Sequence, residues 1–202
     1  MTLLHIDASI LNDQSVSRQL TAAIVKRLTE AKPGTQVIRT DLAAVPVSHL
    51  STSEFLAFQG VAPQDDTAKL AVARNAEFLA DFLAARTIVI GAPMYNFSLP
   101  SQLKAWLDRI AVPGQTFRYT ESGVEGLAVG KRLIVASTRG GLYSEGAPAA
   151  FLDHQETYLR GFFGFLGITD VTFVRAEGLA LGDDSRKAAV DAAVAQAEQL
   201  SA

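Results

Sequence analysis

Arg86-Thr87-Ile88-Val89-Ile90-Gly91 runs directly into Ala92-Pro93-Met94-Tyr95-Asn96-Phe97-Ser98-Leu99-Pro100, and this stretch decides the fold. Its first six residues are rich in β-branched side chains and nearly all apolar, with no alternation. A strand of that kind is covered on both faces, as at the centre of a parallel sheet. Pro100 then stands where a first helical residue belongs, and Leu103, Trp106, Leu107 and Ile110 follow at helical spacing. Upstream, a long helix is expected from about Thr67, with Val72, Ala76, Leu79 and Leu83 on its buried side.

The same alternation extends in both directions. Thr2 to Asp7 reads as a first strand, and Leu20, Ile24 and Leu28 fall on one face of a helix that Lys32-Pro33-Gly34 ends. Thr35 to Thr40 is a second strand. Asp41 to Asp66 is loop-like, with a short helix near Ser53 to Phe58. Gly114 to Gly126 reads as an irregular insertion or a hairpin, and Leu133 to Ser137 as a fourth central strand. Ala149 to Leu166 should be a helix ending at Gly167, with Tyr158, Leu159 and Phe162 spaced for packing. Ile168 to Arg175 is a fifth strand and Asp183 to Leu200 the last helix. Strand-helix alternation implies an α/β fold with right-handed crossovers and helices on both faces. For five parallel strands the natural arrangement is flavodoxin-like, order 2-1-3-4-5, as one domain over residues 1–202.

Composition narrows the chemistry. A net charge of -3 argues against a nucleic-acid partner. There is no Cys, so thiolate nucleophiles and disulfides are excluded, and His5, His49 and His154 do not sit at metal-ligand spacing. No metal is expected. The N-terminal apolar segment is too short for a signal peptide, and no apolar run reaches the roughly 18 residues of a membrane helix. The cytoplasm is the expected location, with no membrane partner. His5 reads as a packed core histidine, and Asp108 with Arg109 as a solvated or interface ion pair. A chain so short of reactive side chains suits a reaction carried by something bound to it.

In such a sheet ligands bind at the carboxyl ends of the strands, near the switch point. After the first strand come Ser9, Ser15 and Ser17, leading into a helix N-terminus, whose unpaired N–H groups suit a phosphate. There is no GxxxxGK[ST] and no GxGxxG, and Ser15 or Ser17 alone could be only a helix cap. After the third strand, Pro93 and Pro100 bracket Met94, Tyr95, Asn96 and Phe97, a stiff loop able to face a flat ring or to plug the sheet edge. After the fourth, Thr138-Arg139-Gly140-Gly141 could be a plain turn or let backbone approach a ligand closely. Together the three loops describe a site for a flat aromatic cofactor with one phosphate, which fits FMN better than a dinucleotide.

Pro93-Met94-Tyr95-Asn96-Phe97, with Pro100, Leu103, Lys104, Trp106 and Asp108, resembles the FMN-dependent NADH-azoreductases, or NADH:quinone reductases, within the flavodoxin-like quinone reductases. Phe117-Arg118-Tyr119-Thr120, Arg139-Gly140-Gly141 and Gly164-Phe165-Leu166-Gly167-Ile168 extend the likeness along the whole chain. The resemblance implies one FMN per subunit. Ser9, Ser15, Val16 and Ser17 would bind its phosphate, Met94, Tyr95, Asn96 and Phe97 would lie along the isoalloxazine, and Thr138, Arg139, Gly140 and Gly141 would hold the pyrimidine side. Family members often have Ser where this chain has Thr138. The resemblance also implies a homodimer and a ping-pong hydride transfer from NADH or NADPH to quinones and azo compounds, with no catalytic side chain. Phe97, Tyr119, Phe162 and Phe173 are candidate walls of the substrate slot. A flavodoxin-type electron carrier fits less well, because such carriers tend to be strongly acidic. A phosphodiesterase would need a metal cluster or an activated nucleophile.

Overall fold

The computed structural model describes residues 1–201. Strands β1 (Thr2–Asp7), β2 (Gln36–Asp41), β3 (Thr87–Pro93), β6 (Arg132–Thr138) and β7 (Asp170–Ala176) form one sheet in the order β2-β1-β3-β6-β7. All its pairings are parallel, with Ile6 and Val135 flanking Ile90 across the centre. The arrangement is the flavodoxin-like order 2-1-3-4-5. Between β3 and β6, strands β4 (Phe117–Thr120) and β5 (Gly123–Gly126) make a separate antiparallel hairpin.

Every residue of β3 is buried, as its unbroken apolar run requires. Strand periodicity divides its side chains between two cores. Ile88, Ile90 and Ala92 face α3 (Asp66–Ala84), α4 (Ser101–Ile110) and α5 (His154–Phe165). Val89 faces α1 (Val16–Ala31) and α6 (Asp183–Glu198). A short helix, α2 (Thr52–Ala57), closes with a capping box between Ser51 and Glu54. Among the described residues no helix is long and apolar enough to cross a membrane.

Two helices differ from expectation. The buried stripe of α3 is Ala68, Asn75, Phe78, Leu79 and Phe82, while Ala76 and Leu83 face outward. The helix is rotated because Phe82 meets Trp106 edge-on, with ring centroids 6.2 Å apart. Helix α5 begins at His154 rather than Ala149, because the Asp153 carboxylate accepts from the N–H groups of Gln155 and Glu156. Residues 150–152 form only a tight turn before it.

The hairpin docks on the end of α5 through backbone. Ala128 N–H donates to the Leu166 carbonyl at 2.8 Å, and Phe117 packs on Phe165 at 4.5 Å. A Cβ at Gly126 would lie 2.2 Å from the Gly167 nitrogen, so only glycine fits. Gly126→Ala should therefore lower stability by about 1–3 kcal/mol in urea unfolding. It should also make the hairpin a preferred site of proteolysis. A wild-type midpoint would show that this close approach carries no weight.

Candidate functional site

The first loop leaves β1 and enters α1 through buried serines. Ser15 is the N-cap: its Oγ accepts from Arg18 N–H at 3.3 Å and lies 3.0 Å from Ser17 Oγ. Capping therefore does not remove Ser15 from the site. The N–H groups of Val16 and Ser17 stand in the first turn, where a helix offers no acceptor. Ser9 is 1% exposed, and its Oγ lies 3.5 Å from the Tyr95 hydroxyl. Ile10 N–H donates to that same hydroxyl at 3.3 Å, tying this loop to the next.

An ion pair holds the loop from behind. Arg18 donates to both oxygens of Asp41, at 2.5 and 2.8 Å, and to the Ser9 carbonyl at 2.9 Å. The Arg18 bonds, outweighing partial burial, bring the Asp41 carboxyl down to about 2 from its usual 3.8. Its contribution to stability is complete above pH 3.8 and is lost as pH falls through about 2. The stability difference between wild type and Asp41→Asn should shrink over that interval, and a pH-independent difference would mean that the charge is not what matters. Deeper in the strand, burial pushes the Asp7 carboxyl up, but His5 lying 3.3 Å away, the bond from the Thr21 hydroxyl and the charge of Arg18 hold it below its ordinary value. His5 is itself buried in β1.

The second loop carries backbone strain. Asn96 and Phe97 adopt φ of 48° and 69°, the left-handed region that non-glycine residues avoid. Tyr95 and Ser98 exchange backbone hydrogen bonds at 2.9 and 3.1 Å around this pair, so the turn closes without using the N–H groups of Asn96 or Phe97. Met94 N–H, by contrast, is taken by the Thr138 carbonyl at 2.8 Å. The free donors of the loop are therefore those of Asn96 and Phe97. Residues held in such conformations cost on the order of 1–3 kcal/mol each and cluster at ligand sites. The turn is pinned by His154 N–H donating to the Phe97 carbonyl at 3.1 Å.

The third loop, after β6, brings Thr138 to Gly141 beside the second. The Arg139 side chain is fully buried among carboxylates, so its charge is spent inside the protein, and its backbone N–H and carbonyl are held by Ala176 and Leu179. Ser9, Ser15, Val16, Met94, Thr138, Arg139 and Gly140 line one cavity of about 220 Å³. Ser17 stands beside Ser15, while Tyr95, Asn96, Phe97 and Gly141 continue the two loops beyond the lining. Pro93, which stiffens the second loop, also lines it, as do Leu11, Gln14, Leu179, Ala180 and Arg186, which the sequence does not single out for the site. The signal for Leu179 and Ala180 was the sheet order itself, which sets the end of β7 beside that of β6. Larger clefts near Arg160 and Arg39 are lined mostly by charged side chains.

The four aromatic candidates separate. Phe97 is 40% exposed and meets Tyr143 edge-on at 6.0 Å. Tyr119 is 74% exposed on the hairpin. Phe162 is half-buried and stacks on Tyr158. Phe173 belongs to the core: it is 4% exposed in the middle of β7, beneath the Arg160 guanidinium, and forms no open wall. Asp108 and Arg109 do not pair with each other. Lys104 binds Asp108, whereas Arg109 is buried and donates to Glu54 at 2.7 Å. His154 is exposed at the start of α5.

Buried hydroxyls at a helix N-terminus fit a phosphate, and a strained turn with two unbonded N–H groups beside an exposed phenyl ring fits the polar edge of a flat heterocycle. The residues present thus suit FMN. None of the lining residues is Asp, Glu, His or Lys.

A family described as having a flavodoxin-like fold matches residues 1–200. The chain is 58% identical over 191 residues to an FMN-dependent NADH:quinone oxidoreductase of Methylocella silvestris, covering 94% of both chains. It is 55% identical to one of a Bradyrhizobium species over the full length of both. Among solved structures it is similar to an FMN-dependent NADH-azoreductase of Bacillus anthracis in complex with FMN. That likeness has a TM-score of 0.89 and 29% identity, covering 98% of this chain and 96% of the other.

Proposed function

The chain belongs to the flavodoxin-like family of FMN-dependent NADH:quinone oxidoreductases, and from that premise we propose how its residues perform the reaction. The protein is an FMN-dependent oxidoreductase that passes electrons from NAD(P)H to quinones and azo compounds. When bound, FMN supplies the two-electron chemistry, accepting a hydride from the nicotinamide and delivering it to the acceptor.

The protein's part is binding and orientation. Ser9, Ser15 and Ser17 donate hydroxyls to the phosphate, and the first-turn N–H groups of Val16 and Ser17 complete the cradle. Met94 and Tyr95 would lie along the ring. The N–H groups of Asn96 and Phe97 would supply donors to its redox edge, where a reduced flavin gathers negative charge. The backbone of Thr138 to Gly141 holds the pyrimidine side. The phenyl ring of Phe97, with Tyr119 and Phe162, walls the space that the two substrates occupy in turn. No side chain need act as an acid or base, and water supplies the protons.

The observation that carries this reading is the serine-capped helix end sharing one cavity with Met94, Thr138 and Gly140, its lining free of Asp, Glu, His and Lys, while the strained Asn96–Phe97 turn continues the Met94 loop beyond it. Steady-state turnover with a panel of quinones and azo dyes tests it. NADH-dependent reduction of quinones at rates that depend on added FMN is expected. Equal rates with and without FMN would contradict it.

We further assign a single domain over residues 1–202, acting as a homodimer in the cytoplasm without nucleic-acid or membrane partners. Support for the dimer comes from the exposed apolar side chains Phe97, Leu142 and Phe151, the last 76% exposed. Sedimentation at twice the 21.5 kDa chain mass tests it.

A further inference from the structure

Behind the third loop lies a cluster of charges that the hydride chemistry does not use. Arg139 Nη1 donates to Glu177 Oε1 at 3.0 Å, Nε donates to Ser137 Oγ at 3.0 Å, and Nη2 lies against Asp153 and Glu156. Glu177, just past the end of β7, reaches further. Its Oε1 accepts from Tyr143 N–H at 2.8 Å, and its Oε2 accepts from the Ser144 hydroxyl. One carboxylate therefore grips both ends of residues 139–144. The backbone next to it repeats the grip: Gly178, Leu179 and Ala180 donate to the carbonyls of Gly141, Arg139 and Gly140 at 2.9, 3.1 and 3.0 Å. Ser137 also donates to Gln155 at 2.8 Å, and Gln155 donates to the Ala92 carbonyl at 3.2 Å, so the bracing extends to the second loop.

We propose that Glu177 is a positioning residue for the flavin, its carboxyl oxygens holding residues 139–144 so that the Gly140–Gly141 backbone meets the ring. The inference rests on the FMN reading above. Glu177 does not line the cavity and acts through the loop it holds. Burial raises its carboxyl, but bonds from Ser144, Tyr143 and Arg139 bring it below the ordinary glutamate value, which keeps it an acceptor at neutral pH.

Glu177 is also the informative position to change. Removing Arg139 would leave Asp153 and Glu177 without a cationic partner, Glu156 keeping Arg175, whereas removing Glu177 leaves Arg139 paired with Asp153 and Glu156. The Glu177→Ala apoprotein should therefore fold. Its FMN Kd, from flavin fluorescence, should rise about tenfold, since loss of hydrogen bonds to a charged group is worth that order of binding energy. At saturating FMN the visible circular dichroism of the bound flavin should change, a signal that global destabilisation would not move. Glu177→Gln keeps an acceptor for Tyr143 N–H and Arg139, and should bind within about threefold of wild type. Wild-type affinity and dichroism in Glu177→Ala would overturn the inference, as would Glu177→Gln being as impaired as Ala. Wild-type protein that takes up no FMN would overturn the reading of the site itself, which separates the two failures.

Discussion

Ser17→Asp is expected to weaken FMN binding about a thousandfold. The side chain stands in the first turn of α1, with its hydroxyl 3.0 Å from that of Ser15. A carboxylate there would face the phosphate. Two unit charges about 4 Å apart repel by about 4 kcal/mol at an effective dielectric of 20, and that corresponds to about three powers of ten. The helix's first turn favours a negative charge and offsets part of the cost of placing one at this buried position, and urea unfolding of the apoprotein separates lost binding from lost stability. Ser17→Ala removes one hydrogen bond without adding charge and should cost only about tenfold. Fluorescence titration with FMN measures both. If Asp and Ala bind alike, the phosphate lies elsewhere.

Arg109→Met should have the largest effect on stability, about 3–5 kcal/mol, because it strands a buried carboxylate. Glu54 accepts from Arg109 at 2.7 Å, from Asn75 at 3.1 Å and from Ser51 N–H at 2.8 Å. Together these bonds clamp α2 and the preceding loop to α3 and α4. Burial raises the Glu54 carboxyl, but its bonds to Ser51 and Asn75 and the charge of Arg109 outweigh that and hold it below the usual 4.5. The pair is therefore fully stabilising above pH 4.5 and weakens as pH falls below it. The deficit of Arg109→Met, read from urea midpoints, should narrow in acid. Lys104→Ala breaks a partly exposed pair on the same helix and should cost about 0–1 kcal/mol. Equal losses in the two variants would contradict the role given to Glu54.

The contrast between these residues shows what the chain discloses on its own. Ile88 to Ile90 announce a central strand because continuous apolar character has one stable home in an α/β protein. The order of the sheet then brings the serines, the Met94–Phe97 loop and the paired glycines to one edge without further information. Arg109 reads in sequence as half of a solvated or interface ion pair, because its true partner, Glu54, lies 55 residues away. The phase of α3 was hidden for a related reason. Apolar residues occur on more than one of its faces, Leu70 being 72% exposed, and only Trp106 opposite Phe82 selects the buried one. Phe173 lies three residues short of the end of β7, at Ala176, so distance from the carboxyl edge removes it from the slot. Gly126 and Gly167 are turn-like in sequence, and their contact exists only once the hairpin has folded back on α5.

The central claim is that a protein without reactive side chains in its cavity passes hydride equivalents through FMN. Anaerobic titration of the FMN-loaded protein with NADH or NADPH tests it most directly. The yellow flavin absorbance should bleach and return when a quinone is added. An FMN-loaded protein whose spectrum neither NADH nor NADPH changes would contradict it, and would favour a carrier that receives electrons from elsewhere.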